Sequence, residues 1–362
     1  MSVYFLGPMF VLLFSVPWIL RLKWPHKISW IEMSVSIIAS IVITSIVYFT
    51  GMYTQMDDVE ILNGQVLSKN REHGTWLESY SCRCHTSCSG SGKSRSCSSH
   101  CSTCYRKHYT VSWDCDTSVG SFNIDHEDST SSLVYALPDP NRYTTIQKGD
   151  PVAKTHHYDN YIKAVPDSLF HQVDLKQFEQ KIPPYPDNIY DIYNINRAVS
   201  VGVPVPDIND WNRDISMMLR TLGPSKQVNV AVVFTDVADQ SYLYALEGKW
   251  LGGKKNDVIV VFGTSQYPKI DWIGVLSWTD NQLFKVELRD ELYAMGNVDR
   301  ARTFKIIEDK IQTRFVRKEM ADFEYLKSRI EPPTWAIVLA FVLGLLMMGG
   351  TSIWFYRENP FD

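Results

Sequence analysis

The chain has 362 residues, seven cysteines and a formal net charge of −4, and 45% of its residues are hydrophobic. That balance excludes a polybasic nucleic-acid binder, so no nucleic-acid partner is expected. No Walker-type phosphate loop, GxGxxG, HExxH or GxSxG occurs in the chain, which leaves it without a motif-level enzyme signature.

Three apolar runs, Val3–Leu20, Met33–Tyr48 and Trp335–Tyr356, are each about long enough to cross a hydrocarbon core of roughly 30 Å. Between the first two lies the short basic loop Arg21-Leu22-Lys23-Trp24-Pro25-His26-Lys27. Short loops rich in Lys and Arg stay in the cytoplasm. The expected localisation is therefore an integral membrane protein with its N-terminus and residues 53–332 extracytoplasmic (periplasmic in a bacterium). Loop 21–27 and the C-terminal tail are expected in the cytoplasm. The first run has its positive charges after the apolar segment and no small-residue cleavage pattern, so it reads as an anchor rather than a signal peptide. Ser36, Ser40 and Thr44 fall on one face of the second run, a stripe able to seat another helix closely or simply the ordinary Ser/Thr content of such a helix.

Val59–Lys69 reads as strand, Asn63-Gly64 turn, strand, because Asn-Gly is a strong hairpin signal. All seven cysteines follow, between Cys82 and Cys115. The Ser-rich stretch that carries them has almost nothing apolar to bury and needs covalent or metal staples. Outside the cytoplasm the staple is a disulfide: Cys82, Cys84, Cys88, Cys97, Cys101 and Cys104 form three bridges with fifteen possible connectivities. Cys115 is then a buried free thiol on the strand His108–Asp116. Zinc is the alternative, with Cys101-x2-Cys104 as a knuckle pair and His85, His100 and His108 nearby. An iron–sulfur or thiol-exchange role is a third, but the run offers no helix N-terminus to lower a thiol pKa. Further strands are expected at Val119–Ile124 and Ser132–Tyr135. Residues 53–165 thus read as a small antiparallel β module with the cysteine segment as a long stapled loop. The Asn-Gly element, the cysteine cluster ending in CSTCY and the words NYIKAVPDSLF resemble a group of uncharacterised membrane proteins of large tailed bacteriophages. That resemblance covers most of residues 1–175 and implies a phage-encoded membrane protein with no assigned activity.

From Asp207 the pattern changes. Ile208, Trp211, Ile215, Met218 and Leu222 mark an amphipathic helix stopped by Gly223-Pro224. Val228–Phe234 is an apolar strand, Ser241–Leu251 a helix, and Asp257–Phe262 a buried strand that pairs with Asp271–Trp278. Asn281–Met295 is a helix. Asp299 caps a long helix that runs toward Ile330 and the third apolar run. The order and the words VNVAVVFTD (228–236), KWLGGKKND (249–257) and VIVVFG (258–263) resemble the TPM-domain family over residues 205–330. The resemblance implies an extracytoplasmic α/β domain, credited in some members with phosphatase activity and in others with binding or assembly. Two departures bear on a phosphatase. Lys254-Lys255-Asn256-Asp257 replaces the family's acidic Asp-Asn-Gly turn, and Ser277-Trp278-Thr279-Asp280 replaces its Gly-rich stretch.

Asp236, Asp239 and Asp280 are candidates for a Ca²⁺ or Mg²⁺ site beyond the strand ends. Their plain alternative is helix capping and turns. His156-His157 and His171 are weighed as metal ligands, but neighbours on a strand point to opposite faces, and a surface role is simpler. The basic residues between Arg300 and Lys318 read as a solvated face, with attraction to anionic headgroups as the sharper reading.

The expected fold class is an α+β membrane protein: three transmembrane helices, a Cys-rich antiparallel β module and a TPM-like α/β sandwich domain. Its divisions are 1–52, 53–175, a Pro/Tyr-rich linker 176–204, 205–331 and 332–362. The expected function is non-enzymatic: an extracytoplasmic body for binding or assembly, with the lipid bilayer and a protein at the outer membrane face as partners and no resident cofactor. The competing expectation is a divalent-metal-dependent, phosphatase-like hydrolase using the three aspartates.

Overall fold

The structure is a computed structural model, and it describes residues 6–25, 28–89, 96–165, 177–186 and 196–358. Helix α1 spans Leu6–Lys23, and helix α2 spans Trp30–Met56. Ser29 starts α2 with a reciprocal cap: Glu32 N–H donates to Ser29 Oγ, and Ser29 N–H donates to the Glu32 carboxylate at 2.7 Å. The last helix, α9, spans Thr334–Glu358. By length and composition, α2 and α9 are each apolar enough to cross a membrane. They pack along one another, with α1 against both. The stripe of Ser36, Ser40 and Thr44 is buried together with Gly51, and the buried face of α9 carries Ala336, Ala340, Gly344, Met348 and Ser352. Small residues on both faces let the backbones approach. A Cβ on Gly51 would lie 2.4 Å from that of Ala336.

The first sheet is antiparallel, in the order β3-β2-β1-β4. Strand β1 is Asp57–Ser89, β2 Ser96–Thr117, β3 Gly120–Ser129 and β4 Pro151–Asp159; short helices α3 (Asn141–Thr145) and α4 (Tyr161–Ala164) flank β4. The expected Asn63-Gly64 turn does not form. Asn63 pairs with Ala153 and Gly64 with Val152 inside one unbroken strand. The reason is tertiary: Asn63 is buried and donates to Val228 O at 3.0 Å, so the turn-prone pair is used to dock the second sheet. Ser132–Tyr135, expected as a strand, lies in a 3-10 turn, Ser132–Ala136, whose Ser131 cap accepts from Leu133 N–H. Val66, Cys115, Ile146 and Val152 form one small core, and Val111, Trp113 and Val134 another. Cys115 is free and buried, as expected.

The second sheet is mixed, in the order β5-β6-β7-β8. Strands β5 (Ala198–Val201), β6 (Asn229–Thr235) and β7 (Asp257–Gly263) run parallel, and β8 (Trp272–Ser277) is antiparallel to β7. Continuous burial along β6 and β7 follows from helices covering both faces. One core holds Trp211, Phe234 and Phe262 beneath α5 (Ile208–Lys226), α7 (Gln282–Tyr293) and α8 (Arg300–Arg314); the other holds Tyr242 and Trp250 from α6 (Tyr242–Lys249) and its end. Three expectations need correction. Strand β5 sits inside the stretch read as a linker. Helix α5 continues through Gly223-Pro224 to Lys226. Helix α8 ends at Arg314 rather than running to Ile330, and a 3-10 segment, Met320–Arg329, leads to α9.

Gly223 explains why α5 is not broken there. A Cβ at that position would come within 2.1 Å of Asn63 O, so the glycine serves the close crossing of α5 over β1 rather than a stop. Gly223→Ala is expected to destabilise the fold by about 1–3 kcal/mol through that overlap. An unchanged thermal midpoint would mean that the two modules do not meet there.

Candidate functional site

The distinguishing feature is the far end of the β1–β2 ribbon. Strand β4 pairs with β1 only as far as Gln65, and β3 pairs with β2 from Tyr109 onward. Among the described residues, 77–89 therefore have β2 as their only strand neighbour. At about 3.3 Å per residue, this two-stranded arm extends about 40 Å beyond the sheet. Its side chains are mostly exposed. A bare two-stranded hairpin is marginally stable in water. Three disulfides supply what burial does not: Cys82–Cys104, Cys84–Cys101 and Cys88–Cys97 cross it as successive rungs.

The disulfide expectation for these six residues holds, but the expected loop is a ribbon. Cys101 and Cys104 bond to different partners, so the CxxC pair weighed as a zinc knuckle or exchange motif is split between two rungs. A signal for this was present. Cys82, Cys84 and Cys88 are mirrored by Cys104, Cys101 and Cys97 about the Gly92-Lys93 pair in the sequence, as a hairpin requires.

The arm differs in charge from the rest of the chain. Leu77–Lys107 carries Arg83, Lys93, Arg95, Arg106 and Lys107 against the single acid Glu78, in a chain of net charge −4. Leu77 and Tyr105 are 62% and 66% exposed. At the arm's root, His108 Nδ1 lies 2.6 Å from Asp128 and Nε2 3.1 Å from Glu78, and the ring stacks on Trp76. Hydrogen bonding to Asp128, then to Glu78, holds the imidazole above its ordinary value. A raised histidine pKa contributes stability that is complete below the unfolded value near 6.5 and is lost as pH rises through the folded value. Asp128→Asn is expected to lower the His108 pKa in an NMR titration; an unmoved titration would contradict the contact.

The other end of β1 is locked into the second sheet by polar groups taken out of water. Glu60 is fully buried and receives Arg317 bidentately, Nε at 3.0 Å from Oε2 and Nη2 on Oε1. Lys255 and His156 reach the same carboxylate at 3.4 and 2.9 Å. Burial works against the Arg317 charge, but Glu60 outweighs it and holds the guanidinium above its usual range. Asp58 accepts from Lys254 at 2.6 Å and from Asn160 and Tyr158; burial opposes its charge, yet Lys254 and these donors hold its carboxyl below the usual range. Deeper in, Arg197 donates to Asn229 and to Asn63, and Asn229 donates to Asp257. Burial pushes Arg197 down to about 10 and pushes Asp257 up. Asn256 completes the junction by donating to Ile61 O and Gln227 O. Nothing in the sequence marked these residues as a junction, because their partners lie from 28 to 257 positions away along the chain.

The predicted metal ligands are not brought together. Asp236 follows the C-terminal end of β6 and pairs with Lys181 at 2.9 Å. Asp239 accepts from Ser241 N–H at 2.9 Å, at the start of α6. Asp280 lies beyond the C-terminal end of β8, which is the opposite end of the sheet from Asp236, and pairs with Lys318. His156 and His157 each contact a separate carboxylate, Glu60 and Asp57. His171 lies outside the described residues. Among the described residues no three His, Cys, Asp or Glu side chains are grouped to hold a metal ion. The basic face of α8 is engaged within the protein: Arg300 pairs with Asp207, Asp210 and Asp214, and Lys310 with Glu287 and Glu291.

No family model, curated protein or solved structure matches the chain.

Proposed function

We propose that this chain is a membrane-anchored binding or assembly protein that presents its disulfide-laddered arm to a partner with an anionic face outside the cytoplasm. The observation that carries the reading is the arm itself: basic, rigid, about 40 Å long, and bonded along residues 77–89 to β2. An element with so little apolar surface adds nothing to a core, so its use lies in reach and contact. Disulfides persist in oxidising compartments, and the basic α1–α2 loop favours the cytoplasm; both support an arm outside. On this reading α1 is a third span beside α2 and α9. The α/β domain, TPM-like in its order of elements, is the platform held against the membrane by α9. The junction at Glu60, Asn63 and Asp257 makes arm and platform one body.

The test is site-specific photo-crosslinking in native membranes, with the photoreactive residue at Tyr105 on the arm or at Lys305 on α8. Adducts that form from Tyr105, weaken with added salt and are absent from Lys305 support the reading. Equal or no adducts from Tyr105 would sink it.

A further inference from the structure

Where α1 and α9 meet, the bundle forms a half-open pocket of about 360 Å³ lined by Leu20, Trp24, Ile28, Gly349, Ser352, Ile353 and Tyr356, almost wholly apolar. Its size is within the range of small-ligand pockets. An apolar pocket of this kind suits an apolar guest. The glycines sharpen this. Gly51 and Gly223 are small because another part of the chain crosses them, whereas a Cβ at Gly349 or Gly350 would meet nothing within 4 Å. Glycine costs a helix interior about 1 kcal/mol against alanine, and among the described residues no neighbour calls for it at these positions. Beside Gly349 the described residues leave open space.

The rim is amphipathic. The rings of Trp24 and Tyr356 lie 5.4 Å apart, and Lys23 Nζ sits 4.8 Å over the Trp24 ring. Arg357 follows Tyr356 at the same end of the bundle. Aromatic rings and cations around an apolar slot at a helix end match the headgroup and upper chain of a membrane lipid.

We infer that this cavity is a binding site for one anionic phospholipid, with an acyl chain beside Gly349 and the phosphate at Lys23. The inference rests on α1 and α9 lying in a bilayer as proposed above. The site lies at the end of the bundle away from the arm, so it would hold α1 against α9 on the cytoplasmic side.

The experiment uses the full chain in nanodiscs containing equal phosphatidylglycerol and phosphatidylcholine, released into mild detergent and weighed by native mass spectrometry. The wild type is expected to retain a single phosphatidylglycerol. Gly349→Trp, which fills the slot, should lower that occupancy at least tenfold, and Lys23→Gln should erase the preference for phosphatidylglycerol. Leu20→Trp narrows the cavity from the α1 side and serves if Gly349→Trp fails to assemble; intact disulfides and a wild-type thermal midpoint report assembly. Retention of phosphatidylglycerol by folded Gly349→Trp or Leu20→Trp at the wild-type level would overturn the inference, as would a wild type that retains no lipid. Carbonate extraction separates the two levels of failure: a chain stripped from membranes by carbonate refutes the membrane reading, whereas an embedded chain without bound lipid refutes only the site.

Discussion

Removing the Glu60 carboxylate is expected to cost about 3–5 kcal/mol of folding stability, the largest effect of any single substitution in the junction. Glu60→Ala leaves Lys255, 5% exposed, without its ion-pair partner, and leaves Arg317, 13% exposed, with only the exposed Glu319 as counter-charge. The loss comes less from the missing attraction than from the two charges that water can no longer reach. Replacing both partners should therefore cost less than the singles combined: Glu60→Met with Arg317→Met removes the charge and its complement together, leaving Lys255 as the residual penalty. Thermal unfolding in mild detergent measures this. A single-substitution cost below about 1 kcal/mol, the range of exposed ion pairs, would contradict the burial on which the junction depends.

Opening the rungs should have an equally large effect, confined to the arm. Each rung is worth about 2–4 kcal/mol by constraining the open chain, and nested rungs add less than their sum. Full reduction is expected to raise amide exchange in residues 77–89 and 96–108 by about 30-fold or more, from the 1.4 kcal/mol per tenfold relation. The α/β domain should keep its protection, because no rung reaches it. Cys84→Ser with Cys101→Ser should give an intermediate result, since the remaining rungs lie on either side of the lost one. Loss of protection in β6 and β7 on reduction would show that arm and platform fold as one cooperative unit.

The parts legible in the sequence were those whose cause is local. Strands β6 and β7 are apolar runs bounded by polar turns, and helix α8 has Asp299 as its cap, accepting from Arg302 N–H. The cysteines are dense enough that the Ser-rich segment had to be stapled. What was not legible depends on distant partners. Asn63-Gly64 is a good turn in isolation, yet Val228, Arg197 and Asn229 claim the Asn63 side chain and keep the strand straight. Gly223-Pro224 is a good helix stop, yet α5 continues to Lys226 and uses the glycine to cross Asn63. Helix α8 leaves its axis at Phe315, and two residues later Arg317 turns in to Glu60, 257 positions away. The three aspartates were chosen because ligands of open α/β sheets bind beyond strand ends, but β8 runs antiparallel to β7 and carries Asp280 to the opposite end of the sheet from Asp236.

The central claim is a basic, disulfide-laddered arm held outside the cytoplasm by membrane helices. Labelling of intact cells with a membrane-impermeant maleimide tests it most directly. The account predicts no labelling before reduction. After mild reduction it predicts six labelled cysteines, from Cys82 to Cys104, with Cys115 protected until the protein is denatured. Labelling that requires permeabilised cells, or six thiols that react without reduction, would contradict it.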